Sequence, residues 1–170
     1  LLLPLLTAQE VVPIQAGTPP ATGKPVVELA ICLDTSGSMD GLIENAKQKI
    51  WAIVNDLALA EPTPVLRVAL LTYGNDGHLA ENGWVMIHTD FTEDLDLISR
   101  ELFALTTNGG SEFCGMAIDT AARELAWTEG DHYKAIFIAG NEPFTQGPIA
   151  YPQACAAAIR KGIVVNTIHC

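Results

Sequence analysis

At 170 residues, 49% hydrophobic and 17% charged, the chain fits one globular domain with a real core and does not have the composition of a disordered segment. Nine basic against twenty acidic side chains give a formal charge of −11. That surface repels phosphate backbones and anionic lipid heads, which excludes nucleic acid as a partner and suits cations or basic protein surfaces.

In chain order, Leu1-Leu2-Leu3-Pro4-Leu5-Leu6-Thr7-Ala8 reads as the tail of a secretory signal, with Ala8 at the cleavage point. The run falls short of the about 20 residues a spanning helix needs, and Pro4 interrupts it, so no membrane span is expected. Residues 9–25, with Pro13, Gly17, Pro19 and Pro20, read as a linker. The domain is expected over 26–170, in a protein that is secreted or held at a cell envelope.

Val26 to Leu33 is an apolar run that predicts a buried strand. Leu42, Ile43, Ala46, Ile50, Ile53, Val54 and Leu57 then recur at helical spacing, and the helix stops before Pro62 and Pro64. Leu66–Tyr73 predicts a second strand, closed by the turn Gly74-Asn75-Asp76-Gly77. Trp84–His88 predicts a short strand, antiparallel to its predecessor because so few residues join them. Helices are expected over about 95–105 and from Cys114 to Leu125, with a polar loop, 106–112, between them. Tyr133–Ala139 predicts a strand, Tyr151–Arg160 a helix ended by Gly162, and Ile163–Ile168 a last strand. Alternating strands and amphipathic helices predict an α/β sandwich around a mostly parallel sheet.

The chemistry gathers at Asp34-Thr35-Ser36-Gly37-Ser38-Met39, directly after the first strand. One carboxylate and two hydroxyls stand within five residues, and Gly37 lets the backbone turn between them. Three hard oxygen donors at a strand end can hold a small divalent cation. The competing reading is local: Ser38 or Asp40 caps the helix expected near Gly41. In an open α/β sheet, ligands bind beyond the carboxyl ends of the strands. Asp34–Ser38, the segment around Ser111, and Gly140–Glu142 all fall on that side, which favours the cation.

With this Asp34-x-Ser36-x-Ser38 set after an apolar strand, and Gly109-Gly110-Ser111 before a helix, the chain resembles a von Willebrand factor type A domain with a metal-ion-dependent adhesion site. The resemblance covers about Val26 to Cys170. It implies a three-layer, doubly wound, Rossmann-like sheet with one short antiparallel edge strand. It also implies Mg²⁺ or Mn²⁺ held by Asp34, Ser36, Ser38 and Ser111, with an open position completed by a partner protein's carboxylate. Binding in adhesion or complex assembly, without enzymatic activity, is the function it implies.

Two positions depart from the family pattern. Ser111 stands where Thr is usual, and keeps the hydroxyl. Gly140 stands where a strand-end Asp is usual, and has no carboxylate. Glu142, Asn141 and Glu112 are the candidates to replace it, with a solvated surface position the expectation for either glutamate. By this reading Gly140→Asp should tighten the ion, unless Glu142 already fills the role, in which case Glu142→Gln should weaken binding instead. The family domain normally continues with another helix and often a strand, so the C-terminal part of the domain is expected to be missing here.

Cys32, Cys114, Cys155 and Cys170 permit disulfides in an exported protein, with Cys155–Cys170 a candidate pair and four buried thiols the alternative. Their spacing has no CxxC pattern, and the four histidines form no HExxH set. Two rival functions remain: a metal-free scaffold of the same fold, and a haloacid dehalogenase-like phosphotransferase with Asp34 as nucleophile. The second needs another Asp two residues on, where Ser36 stands.

Overall fold

Every residue of Val26–Asp34 (β1) from Glu28 onward is buried, so the strand must be covered on both faces. In the computed structural model, which describes residues 23–170, two helices lie on each side of it. The signal and linker expectations for residues 1–8 and for most of 9–25 lie outside the described residues.

The elements that follow are Ile43–Ala58 (α1), Val65–Tyr73 (β2), Met86–Thr92 (β3), Leu95–Ala104 (α2), Cys114–Glu124 (α3), Tyr133–Gly140 (β4), Tyr151–Arg160 (α4) and Ile163–His169 (β5). The sheet order is β3-β2-β1-β4-β5. Pairings are parallel except β2 with β3, as the sequence led one to expect. Alternation along β1 divides the core. Leu29, Ile31 and Leu33 pack with Ile43, Ile50, Val54, Ile98 and Leu102 of α1 and α2. Ala30 and Cys32 pack with Cys114, Ala117, Ile118 and Ala121 of α3 and with Ala154 and Ala158 of α4.

The start of α1 and both ends of β3 differ from expectation, β3 running on to Thr92 rather than stopping at His88. β3 begins at Met86 rather than Trp84, because Gly83 (φ 65°) and Trp84 (φ 53°) are both left-handed and prolong the turn. α1 begins at Ile43, because a 3-10 turn, Gly37–Met39, and a left-handed Gly41 (φ 79°) come first.

At the amino end of β1, Glu28 is wholly buried and fully matched. Arg67 bridges it from β2, His132 Nε2 lies 3.0 Å from Oε2, and the Thr128 amide donates to both oxygens at 3.1 and 3.2 Å. At the carboxyl end the chain leaves β1 toward β2 on one side, with β4 on the other. That is the switch point where an open parallel sheet forms its crevice.

Candidate metal centre

Asp34 closes β1 at this switch point and is 1% exposed. Its Oδ1 accepts from the Ser36 amide at 2.8 Å, the local turn that Asp favours. Its Oδ2 is buried with no hydrogen-bond partner. Burial pushes the Asp34 carboxyl up, the Ser36 hydrogen bonds pull it back, and the Glu142 charge adds to the rise. Ser36 Oγ and Ser38 Oγ are 3.0 Å apart. The Ser38 hydroxyl donates to Asn141 Oδ1 at 3.0 Å, and Asn141 Nδ2 donates back to the Ser38 carbonyl at 3.1 Å.

None of these groups caps a helix. Leu42 holds the cap position of α1 without a side-chain bond, Ser36 makes none to the 3-10 turn, and Asp40 accepts from the Thr107 hydroxyl. The capping alternative is therefore set aside.

Backbone bonds clasp the surrounding loops together. Gly37 N donates to Gly109 O, Asn108 N to Thr35 O and Thr35 N to Tyr73 O, each at 2.9 Å. The clasp brings Glu112 to Asp34. Glu112 is 4% exposed, not a solvated surface residue as expected. Its Oε2 accepts from Gln146 Nε2 at 2.7 Å, and its own amide donates to Gln146 Oε1 at 3.4 Å. Burial first, and the Asp34 charge second, push its carboxyl up.

Gly74 (φ +80°) forms the floor beneath these groups. A Cβ there would lie 3.0 Å from Asp34 Oδ1, 3.2 Å from Glu112 Cγ and 3.3 Å from Ser36 Cβ. The Ser111 side chain makes no hydrogen bond among the described residues; its carbonyl accepts from the Phe113 amide at 3.2 Å. Glu142 is exposed at the rim. The structure thus brings together Asp34, Ser36, Ser38, Asn141 and Glu112. It leaves Ser111 and Glu142 outside the hydrogen-bonded cluster.

Gly140 cannot simply be given a carboxylate. A Cβ on it would stand 2.5 Å from the Tyr73 hydroxyl and 3.1 Å from Asp34 Oδ2. Tyr73 is fully buried and donates to the Ala139 carbonyl at 3.1 Å, which holds its oxygen in place. The expected gain from Gly140→Asp is overturned by this contact. Sequence reasoning missed Tyr73, Gln146 and Gly74. The acid directly after Gly109-Gly110-Ser111 signalled Glu112, but nothing in the sequence tied these three residues to it.

All four cysteines are free. The Cys155–Cys170 pair fails because Cys155 packs on the α3/α4 side of the sheet and Cys170 on the α1/α2 side. No group of three His, Cys, Asp or Glu gathers among the described residues, so any ion here rests on two carboxylates and on hydroxyls. No helix among the described residues is long and apolar enough to cross a membrane.

Residues 28–169 match the model of the von Willebrand factor type A domain, and the chain belongs to that family. No curated protein matches it by sequence. Among solved structures it is similar to the conserved hypothetical protein BatB from Bacteroides thetaiotaomicron, at 23% identity and TM-score 0.66, over 84% of this chain and 66% of that one. It is also similar to the pilus adhesin SpaC from Lactobacillus rhamnosus GG, at 12% identity and TM-score 0.66, over 86% of this chain and 24% of that one. A third likeness is to proximal thread matrix protein 1 from the mussel byssus, with a zinc-occupied adhesion motif. There the identity is 16% and the TM-score 0.64, over 86% of this chain and 36% of that one. The chain therefore spans less than two thirds of each of these proteins.

Proposed function

We propose that this domain binds a protein partner through a divalent cation held at the carboxyl end of β1, in an exported protein, and that it is not an enzyme. The observation that carries this reading is Asp34 Oδ2, a buried carboxylate oxygen with no donor. An unmatched buried charge costs several kcal/mol in order of magnitude, and a cation is the partner that removes the cost. Asp34 and Glu112 would supply the charge, and Ser36 and Ser38 the neutral oxygens. Asn141, bonded to Ser38, and Ser111, next to Glu112 in the chain, would contribute through water. This donor set is all oxygen, which suits Mg²⁺ or Mn²⁺. The zinc-occupied motif of the mussel protein makes Zn²⁺ the third ion to try.

The ion supplies a positive centre with an open position for an oxygen ligand. A partner's carboxylate is the strongest such group, and the metal-free site opposes it with Asp34, Glu112 and the Glu142 charge. Docking should therefore depend strictly on the ion. Adhesion or assembly as the setting draws support from the adhesin and matrix protein that share the fold. The metal-free scaffold gains nothing from Gly140, since Glu112 brings a second carboxylate by another route.

Calorimetric titration of Mg²⁺, Mn²⁺ and Zn²⁺ into chelator-stripped protein tests this. One saturable site is expected, lost in Asp34→Ala with the far-UV circular dichroism unchanged. Absence of binding by all three ions, or unchanged affinity in Asp34→Ala, would sink the assignment.

A further inference from the structure

We infer that Gln146 is a positioning residue that holds Glu112 in the cation site, and that through it the segment between β4 and α4 responds to the ion. The inference rests on the reading of Asp34 and Glu112 as ion-binding carboxylates.

Two contacts carry it. Gln146 uses both ends of its amide on one residue: Nε2 donates to Glu112 Oε2 at 2.7 Å, and Oε1 accepts from the Glu112 amide at 3.4 Å. A primary amide facing a residue in this two-point manner fixes both the carboxylate and the backbone that carries it. Glu112 needs such a hold. It lies beside Asp34, since a Cβ on Gly74 would touch both Asp34 Oδ1 and Glu112 Cγ, and among the described residues no Lys or Arg bridges it. Without Gln146 the glutamate has cause to leave the site before the ion arrives. One oxygen is engaged by Gln146, and the other remains for the cation or for Ser36.

Gln146 comes from a different part of the chain than Asp34, Ser36, Ser38 and Glu112. It stands in the connection after β4, whose first residue, Asn141, grips Ser38 from the other side. The connection from Gly140 to Tyr151 thus touches both halves of the donor set, Ser38 through Asn141 and Glu112 through Gln146. An ion that orders Ser38 and Glu112 must order this connection as well. Groups that orient metal ligands typically change affinity by about 10–100-fold when removed.

The test uses Mn²⁺ alone, titrated into wild type, Gln146→Met, Glu112→Gln and the double variant. Gln146→Met keeps the length of the side chain and removes its hydrogen bonds, and circular dichroism checks that each variant folds. The expected result is about a ten-fold or greater loss in Gln146→Met, a larger loss in Glu112→Gln, and no further loss when the two are combined. Hydrogen exchange should fall across residues 141–150 when Mn²⁺ is added to wild type, and should not fall in Glu112→Gln. If wild type binds no ion, the metal reading itself fails. If wild type binds and Gln146→Met binds equally, or if Gln146→Met still weakens binding in the Glu112→Gln background, Gln146 does not act through Glu112. Unchanged exchange over 141–150 on loading would overturn the coupling.

Discussion

The Tyr73 hydroxyl and a side chain at Gly140 compete for one volume, since a Cβ on Gly140 would come within 2.5 Å of that oxygen. Gly140→Ala should therefore destabilise the fold by about 1–3 kcal/mol, the usual range for overpacking a core. Tyr73→Phe removes the oxygen and should recover most of that loss, so the two changes should be strongly non-additive. Denaturant melts of both single variants and the double variant measure it. Additive costs would show that the clash lies elsewhere.

Removing one site carboxylate should have opposite effects with and without metal. Burial raises the Asp34 carboxyl, so the ionised side chain works against the metal-free fold. Asp34→Asn should raise the melting temperature of chelator-treated protein by about 2–4 °C for each kcal/mol relieved, and abolish the rise that Mn²⁺ gives wild type. A lower melting temperature in chelator would mean that the charge is already compensated.

His88 ties stability to pH at the other side of the sheet. Its Nε2 lies 2.8 Å from Thr72 Oγ1, and burial, with His78 beside it, lowers its pKa from 6.5. The unfolded chain then takes up the proton first. Stability from this residue is whole above pH 6.5 and declines as pH falls toward the lowered folded value, by at most about 1.4 kcal/mol per pH unit. In His88→Gln the slope of stability against pH should flatten in that window. An unchanged slope would remove His88 from the account.

Thiol reactivity should split the cysteines two and two. Cys32 and Cys114 are buried, with pKa values pushed up to about 12 and about 11, so at pH 8 about one part in a thousand or less is thiolate. Cys155 and Cys170 are only partly buried. Ellman's reagent should label two thiols quickly in native protein and four after denaturation. Two thiols after denaturation would mean one disulfide in place of the four free thiols seen here.

The fold was legible because its signals are local and redundant. β1 is apolar on both faces, and each helix carries a stripe of small and branched residues such as Ala117, Ile118 and Ala121. Asp34, Ser36 and Ser38 were legible because they lie within five residues. Glu112 was harder. Its burial depends on Gly37 and Asn108 bonding across two loops, and on Gln146, thirty-four residues away. Nor could the role of Gly140 be read from its own position, since the reason for it is the oxygen of Tyr73 on a strand that is not its neighbour. Contacts between distant segments decide which acid turns inward, and periodicity does not report them.

Glu28 and Asp34 stand six residues apart on one strand, each a buried carboxylate, one fully matched and the other not. Their loss should leave different marks in a cell. Glu28→Gln strands an arginine in a sheltered place and lowers the amount of protein that accumulates. Asp34→Asn leaves abundance intact and silences recognition. A mutational scan read by both yield and binding would thus separate the two ends of β1, with the amino end scoring as architecture and the carboxyl end as purpose.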